Sequence, residues 1–494
     1  LFWYWVAFAL ASNDTAWLMR TGQYILAKGN LPAHDIFSWT LTDRPWVLYQ
    51  WLFEVVVGII ANASGPRSLW VAGFATSLFA GWLVFFLMPR QWLRLRIPFA
   101  IACPFAALML SPPWFFIRPQ LVSHLFILVF INAWERFRRC QDWKTLWYLP
   151  LVMIVWANCH PLWVFGIAIS GAYALVHCLS AFSEGNSKKM VAPGAIILAC
   201  AAALLVNPYG AGLIGYELYF NSANNFKAVN ELKPLWDNPH PLFFPFIAFC
   251  LISAPLIIWQ ARNVPKAGWL LSALGLCAGL SINKLAPVGA LLIWPYLGFA
   301  LAGLRQPLAS RAKDSLAGVL HFLRKADGYL NRKGGFRQLL LALIISAACF
   351  ELRVPSGDYA IIVFCYNDIS AMKFLATHPF PNRRIFNDEP TGSLLIYFNL
   401  LPVFCDGRVD FYGKDFCQAW MNCVDGEAGW QAYLDQFAVN EIIVRNSTGL
   451  NAQLVKSPNW LLCFNSGLRS IYVRNDEMGK SILGKWRSAD TAPQ

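Results

Sequence analysis

Ionisable residues beside a membrane are costly, so they usually line a polar cavity. Six such residues stand at the ends of apolar runs here: Asp14, Asp35, Arg118, His160, Glu231 and Lys284. Arg118, in "FIRPQLVSH" near His124, carries a permanently charged guanidinium that can grip two oxygens of a phosphate; the alternative is an arginine snorkelling to the interface. Lys284, in "SINKLAP", is a second phosphate-binding candidate. His160, in "WANCHPLW" with Asn158, sits at the tip of a short hairpin, as an acid, a phosphate ligand or a hydrogen-bonded hairpin residue. Glu231 belongs to "NPYGAGLIGYELYFNSANNFKAVNELKPLW", a long polar and aromatic loop able to cover a site. Asp14 and Asp35 share "SNDTAWLMRTGQYILAKGNLPAHDIFSWT", directly after the uncharged "LFWYWVAFALA". Asp14 can cap an interfacial helix that ends at Gly29, a role compatible with catalysis, and Asp35 can cap or turn the loop.

No Walker loop, GxSxG elbow, HExxH or CxxC pair is present. The 13 cysteines are scattered without Cys/His metal spacing. Cys365, Cys405, Cys417, Cys423 and Cys463 lie in the more polar C-terminal part, where export would permit one or two disulfides of unspecified pairing.

The elements that must position these groups follow from composition. Of 494 residues, 57% are hydrophobic and only 14% charged, against about a quarter charged in soluble domains. Mean hydropathy is +0.45, which makes this a membrane protein. A net charge of +13 would suit nucleic acid, but the basic residues fall in short clusters between apolar runs. That is the pattern of cytoplasmic loops, and no nucleic-acid partner is expected. Candidate spans cover about 1–12, 68–88, 98–111, 117–134, 144–159, 161–182, 190–207, 241–260, 266–282, 285–303 and 338–350. The chain opens on apolar residues without Met, so its true N-terminus is expected upstream.

Alternation across these spans puts "PRQWLRLR", "ERFRRCQDWK", "SEGNSKK", "QARNVPK" and the basic stretch from Arg305 to Arg337 on one side, as the positive-inside rule requires. The six candidate residues then fall outside. This holds only if "WLFEVVVGIIANA" (51–63) lies at the interface and does not span, with Glu54 facing headgroups. Within the basic loop, "DSLAGVLHFLRKADGYL" reads as a helix lying on anionic lipid. After the last span, "YAIIVFCY", "RRIFND", "LPVFCD", "NEIIVR", "NWLLCFN" and "RSIYVRN" read as strands. "DISAMKFLATH", "TGSLLIYF" and "GWQAYLDQFA" read as helices between them, giving a small α/β domain. "DGRVDFYG" brings Asp406, Arg408, Asp410 and Tyr412 together after a predicted strand, which suggests an internal Asp–Arg pair, with an acceptor or partner contact as the alternative.

The first loop, "NDTAWLMRTGQYILAKGNLPAHDIFSWTLTDRPWVLYQWLFE", resembles that of bacterial polytopic glycosyltransferases of the GT-C superfamily. "WANCHPLWVFG", "NPYG", "NELKPLW", "RRIFNDEPTGSLLIYFNLLPVFCDGRVDFYG" and "NWLLCFNSGLRSIYVRN" extend the resemblance over most of the chain. It implies an α-helical polytopic membrane protein of about 11 transmembrane helices with GT-C-like architecture, plus a small C-terminal α/β domain on the outer (periplasmic) side of a bacterial inner membrane. The boundaries are 1–303 for the transmembrane domain with its first outer loop at 13–67, 304–337 for the cytoplasmic loop, 338–350 for the last span and 351–494 for the periplasmic domain.

The resemblance also implies sugar transfer from a polyprenyl-phosphate donor to a glycan, lipid or protein acceptor. Asp14 then matches the first-loop carboxylate, a candidate general base joined by Asp35, and Arg118, His160, Lys284 or Glu231 would bind donor phosphate or substrate. Several GT-C families carry two adjacent acids where this chain has Asn13, Asp14 and Thr15, so metal-independent transfer without a cofactor is expected. The alternative is a noncatalytic GT-C-like scaffold or accessory subunit of a larger membrane complex. A transporter is disfavoured because the ionisable residues sit at span ends and not at the midplane.

Overall fold

A computed structural model describes residues 14–65, 68–69, 83, 118–223, 233–237, 244–303 and 368–490. In chain order its helices are α1 (Asp14–Lys28), α2 (Trp51–Ser64), α3 (Gln120–Cys140), α4 (Leu149–Ala157), α5 (Val164–Ser183), α6 (Val191–Ala203), α7 (Ala211–Ala223), α8 (Phe244–Trp259), α9 (Lys266–Ser281) and α10 (Ala286–Gly303). Then come α11 (Ile369–Thr377), β1 (Ile385–Asn387), α12 (Glu389–Tyr397), α13 (Val409–Tyr412), α14 (Lys414–Val424), α15 (Trp430–Gln436), β2 (Glu441–Arg445), α16 (Gly449–Leu454), β3 (Trp460–Asn465), β4 (Arg469–Arg474) and α17 (Glu477–Asp490). The chain divides into two compact units: one holds α3 to α6, α8 to α10 and most of α7, and the other holds α1, α2 and everything from α11 onward.

The first unit is a helical bundle. Helices α3, α4, α5, α6, α8, α9 and α10 fall on seven of the predicted spans. Among the described residues, two stretches, Pro161–Ser183 and Asn283–Leu301, are long and apolar enough by themselves to cross a membrane. The interior is packed by Phe130, Trp134, Trp156, Phe246 and Tyr296, all buried. The outer faces are also apolar: Phe182 is 79% exposed, Leu198 72% and Leu251 71%. Large side chains left bare on several helices at once fit lipid, not water, as their surroundings. The predicted spans 1–12, 98–111 and 338–350, nearly all of 68–88, and the basic loop 304–337 lie outside the described residues.

The second unit joins the first loop to the C-terminal residues. Its sheet has strand order β1-β2-β4-β3, with β1 parallel to β2 and the β2/β4 and β4/β3 pairs antiparallel. Strand β2 has Ile442, Ile443 and Val444 all buried, because helices or loops cover both faces. Helix α17 folds back through Trp486, which packs on Val473, Phe380 and Phe374.

Three readings of the sequence change here. The predicted strand at 401–406 does not enter the sheet; instead Val403 pairs with the first loop, donating to Phe37 O at 2.9 Å and accepting from Trp39 N at 3.1 Å. Glu54 does not face headgroups, being 0% exposed within its unit. The reason is the α1/α2 crossing: a Cβ on Gly22 would lie 1.8 Å from Glu54 O, and one on Gly58 would lie 2.7 Å from Gly22 C, so two glycines let the backbones touch. Among the described cysteines, Cys405, Cys417, Cys423 and Cys463 are free thiols, and Cys365 lies outside the described residues.

Candidate active site

One three-residue turn, Asp406-Gly407-Arg408, organises the polar part of the second unit. Asn387, at the end of β1, fixes the approach to it: its Nδ2 donates to Cys405 O at 2.8 Å and its Oδ1 accepts from Phe404 N at 2.9 Å. From β1 the chain enters α12, with Asp388 at the N-cap and a proline in the first turn, a good helix start. Helix α1 packs on α12 and delivers Asp14 to the same place.

Asp14 Oδ1 accepts from Trp17 Nε1 at 3.3 Å and stands directly over Gly407. A Cβ on Gly407 would be 2.5 Å from Asp14 Oδ1 and 3.4 Å from Glu389 Oε1. Two carboxylates from opposite ends of the chain thus flank one glycine, and all three residues are partly exposed. Among the described residues no group of three or more His, Cys, Asp or Glu side chains could hold a metal.

Asp35 is placed differently. Its carboxylate is fully buried, and both oxygens are engaged: Oδ1 by Arg408 Nη1 at 2.7 Å and Phe37 N at 3.0 Å, Oδ2 by Ser38 N at 3.0 Å and the Ser38 hydroxyl. Arg408 also grips Asp406 bidentately, Nε to Oδ1 at 2.8 Å and Nη2 to Oδ2 at 2.7 Å, and Tyr412 donates to Asp406 Oδ2 at 3.1 Å. The guanidinium lies 4.5 Å from the Trp46 ring centroid and 5.0 Å from those of Phe37 and Phe411. Such a box suits a planar, weakly hydrated cation. Burial pushes the Asp35 carboxyl up, but the charge and hydrogen bonds of Arg408 outweigh it and hold the group below the usual carboxylate range. Burial pulls Arg408 down, and Asp406 and Asp35 more than reverse that, leaving it well above its ordinary value.

In the first unit, His160 caps the short helix Pro161–Trp163 that leads into α5. Its Nδ1 accepts from Leu162 N at 3.4 Å and faces Ser123 Oγ at 2.9 Å, and Ser123 in turn accepts from Trp156 Nε1 at 2.7 Å. With Nδ1 accepting, the imidazole proton belongs on Nε2. Lys284 and His124 both lie within electrostatic reach of His160. Asn283 N donates to Lys233 O at 3.0 Å, which ties the "NELKPLW" segment to the turn carrying Lys284. Arg118 precedes α3 at the end that holds Ser123.

The structure thus groups His160 with Lys284, puts Asp14 and Asp35 on either side of one turn, and leaves Glu231 outside the described residues. Arg408 forms the internal Asp–Arg pair expected within "DGRVDFYG", and its partner there is Asp406. Glu389 and Gly407 were not singled out from the sequence. The available signal was their place in "FNDEPTG" and "DGRVDFYG", the two distinctive stretches of the C-terminal resemblance.

Comparison with solved structures bears on the fold. The chain is similar to ArnT from Cupriavidus metallidurans, solved bound to undecaprenyl phosphate, over 96% of this chain and 97% of that one, at 10% identity and a TM-score of 0.50. It aligns with the Archaeoglobus fulgidus oligosaccharyltransferase in the apo form over 88% of this chain at 12% identity and a TM-score of 0.47, spanning 66% of that chain's length, just under two thirds. The AglB oligosaccharyltransferase of the same organism, in complex with an inhibitory peptide and a dolichol-phosphate, aligns over 94% of this chain and 71% of that one, at 12% identity and a TM-score of 0.49. No protein-family model and no curated protein matches the chain.

Proposed function

Because this chain has the GT-C fold of a polytopic membrane protein, we propose that it is a glycosyltransferase. It moves a sugar from a polyprenyl-phosphate donor to an acceptor hydroxyl at the outer face of a bacterial inner membrane. The observation that carries this reading is the Asp14 carboxylate held over Gly407 beside Glu389. Asp14 takes the proton as the acceptor oxygen bonds to the anomeric carbon. The bond from that carbon to the phosphate oxygen breaks, and its electron pair leaves on the lipid phosphate. Glu389 orients the hydroxyls of acceptor or sugar. As the resemblance of the sequence implies, Arg118, Lys284 and His160 are the candidates for binding the donor phosphate and stabilising its growing charge, with Glu231 as a further substrate contact. Asp35 acts through Arg408 and is a positioning residue. Undecaprenyl phosphate bound to ArnT supports a donor of that class.

The placement of the C-terminal domain on the same side as the first loop draws support from the second unit itself. Residues 37–40 hydrogen-bond to residues 403–404, so the first loop and the C-terminal residues share one side of the membrane. An even number of spans must then separate them, as an interfacial α2 and ten later spans, about 11 with the first helix, would provide.

The test is transfer of a labelled sugar from polyprenyl phosphate by the purified full chain. Asp14→Asn is expected to lose about 100-fold or more, the usual worth of a positioned base. Wild-type transfer that survives in Asp14→Asn would remove Asp14 from catalysis, and absence of transfer from every polyprenyl-phosphate sugar would favour the noncatalytic scaffold.

A further inference from the structure

A cavity of about 360 Å³ opens in the helical unit at the end where its basic loops gather. It lies at the C-terminal ends of α3 and α5 and the N-terminal ends of α6 and α9, so the His160 and Lys284 turns are at the other end of the same helices. Its volume is that of a small-molecule site, roughly 300–1,000 Å³ in general. We infer that this cavity binds the phosphate headgroup of an anionic membrane lipid, a site separate from the proposed transfer chemistry.

The floor is aromatic and fixed. Trp134 stacks on Tyr173 with centroids 5.9 Å apart and planes 12° from parallel. The Tyr173 hydroxyl donates to Glu135 Oε1 at 2.8 Å and meets the Tyr296 hydroxyl at 2.7 Å. Glu135, fully buried, also receives Arg138 through two nitrogens, Nε at 3.1 Å and Nη2 at 2.9 Å to Oε2. A buried carboxylate therefore holds a guanidinium at the cavity wall, and this arrangement serves no step of the transfer mechanism. Lys189 and Lys266 add two more cations to the lining. Glu184 offsets part of this through an exposed pair with Lys189 at 2.7 Å, and pairs in water count for little.

The lipid assignment follows from the surface beside the cavity. Ser180 and Ala181 line it, and on the same helix Leu179 is 61% exposed and Phe182 79%. A headgroup seated among the three cations leaves its acyl chains against those apolar side chains, which a soluble phosphate would not use. Basic pockets between spans, within reach of anionic headgroups, are the usual setting for such binding.

Native mass spectrometry of the full chain, released from nanodiscs containing phosphatidylglycerol and phosphatidylcholine, reads the site directly. Retention of phosphatidylglycerol is expected to fall roughly five-fold for Lys189→Gln or Lys266→Gln and about 25-fold for the pair, from a cation's usual worth near an anionic surface. Ser180→Phe, which fills the cavity and keeps every charge, should abolish retention. Lys144→Gln and Arg262→Gln, basic changes on the same end that remove no lining residue, should leave it unchanged. Equal loss in those controls, or undiminished retention in Ser180→Phe, overturns the site. Displacement of the lipid by millimolar inorganic phosphate overturns the lipid assignment. Sugar transfer enters none of these measurements, so failure here is distinct from failure of the proposed function.

Discussion

Replacing Arg408 by Met removes the cation that bridges Asp35 and Asp406 and keeps much of its apolar stem. In the wild-type protein the two carboxylates share one guanidinium, at 2.7 Å to Asp35 Oδ1 and 2.7 and 2.8 Å to the two oxygens of Asp406. The variant leaves two buried carboxylates facing a thioether. Breaking a buried pair from one side costs about 3–5 kcal/mol, which lowers the folded-to-unfolded ratio by a hundred-fold to several-thousand-fold. Asp35→Asn keeps the Arg408–Asp406 pair and should cost about 1.5–3 kcal/mol, the worth of one charge-assisted hydrogen bond. The pH dependence separates this account from a loss of packing alone. In the wild type, the Asp35 carboxyl is held below its unfolded value, so its contribution is full above about pH 4 and fades as pH falls through the folded value. In Arg408→Met, burial without that cation raises the Asp35 carboxyl above its unfolded value. Stability should then rise as pH falls from 7 toward about 4, a range over which the wild-type contribution of Asp35 is flat. The assay is the thermal midpoint of the full chain in nanodiscs from pH 4 to 7, with hydrogen exchange reporting residues 35–46 and 403–412. A midpoint within a degree of wild type at pH 7, or a difference from wild type that does not shrink as pH falls from 7 toward 4, would refute the reasoning.

Glu54→Gln should stabilise the protein at pH 7 by about 1–3 kcal/mol, because burial holds the Glu54 carboxyl well above its ordinary value despite Gln50 and Arg408. The sign is that of a raised carboxylate: the cost of Glu54 is absent below about pH 4.3, grows as pH rises toward the folded value, and so the gain in thermal midpoint should vanish in acid. Gly22→Ala puts a methyl group 1.8 Å from a backbone carbonyl that cannot swing away, and should cost about 1–3 kcal/mol, read as faster proteolysis within residues 29–50. His160→Gln should lower transfer about ten-fold or more with little change in thermal midpoint, since it removes one phosphate donor, and unchanged transfer would drop His160 from the donor site.

Hydropathy made the helices of the first unit legible, since a span must be apolar along its whole length whatever its neighbours are. Strands β2 to β4 were legible too, because "NEIIVR", "NWLLCFN" and "RSIYVRN" carry β-branched and aromatic residues between turn residues. "LPVFCD" has the same composition, yet its pairing partner is not a strand but the first loop, and nothing local distinguishes the two outcomes. Glu54 misled for a related reason. In water a lone acid on an apolar helix marks the outer face, but beside lipid the rule weakens, and α2 leaves Val56 45% and Ile59 50% exposed while burying Glu54.

The candidate site was half legible, and the missing half is a matter of chain distance. Asp14 could be found from its place after an apolar run, whereas Glu389 becomes relevant only once α12 and α1 pack together. The close approach of Asp14 to Gly407 explains why glycine suits that turn: any side chain there would meet the Asp14 carboxylate. Asp406 and Arg408, on either side of that glycine, anchor the loop that carries Asp35. Anchor and candidate chemistry therefore occupy consecutive residues, and a large change at Arg408 must disturb Asp14 as well. Only isosteric changes separate the two roles. Asp14→Asn should remove transfer and leave the fold, while Asp35→Asn should loosen the fold and reduce transfer only as far as the turn beneath Asp14 moves.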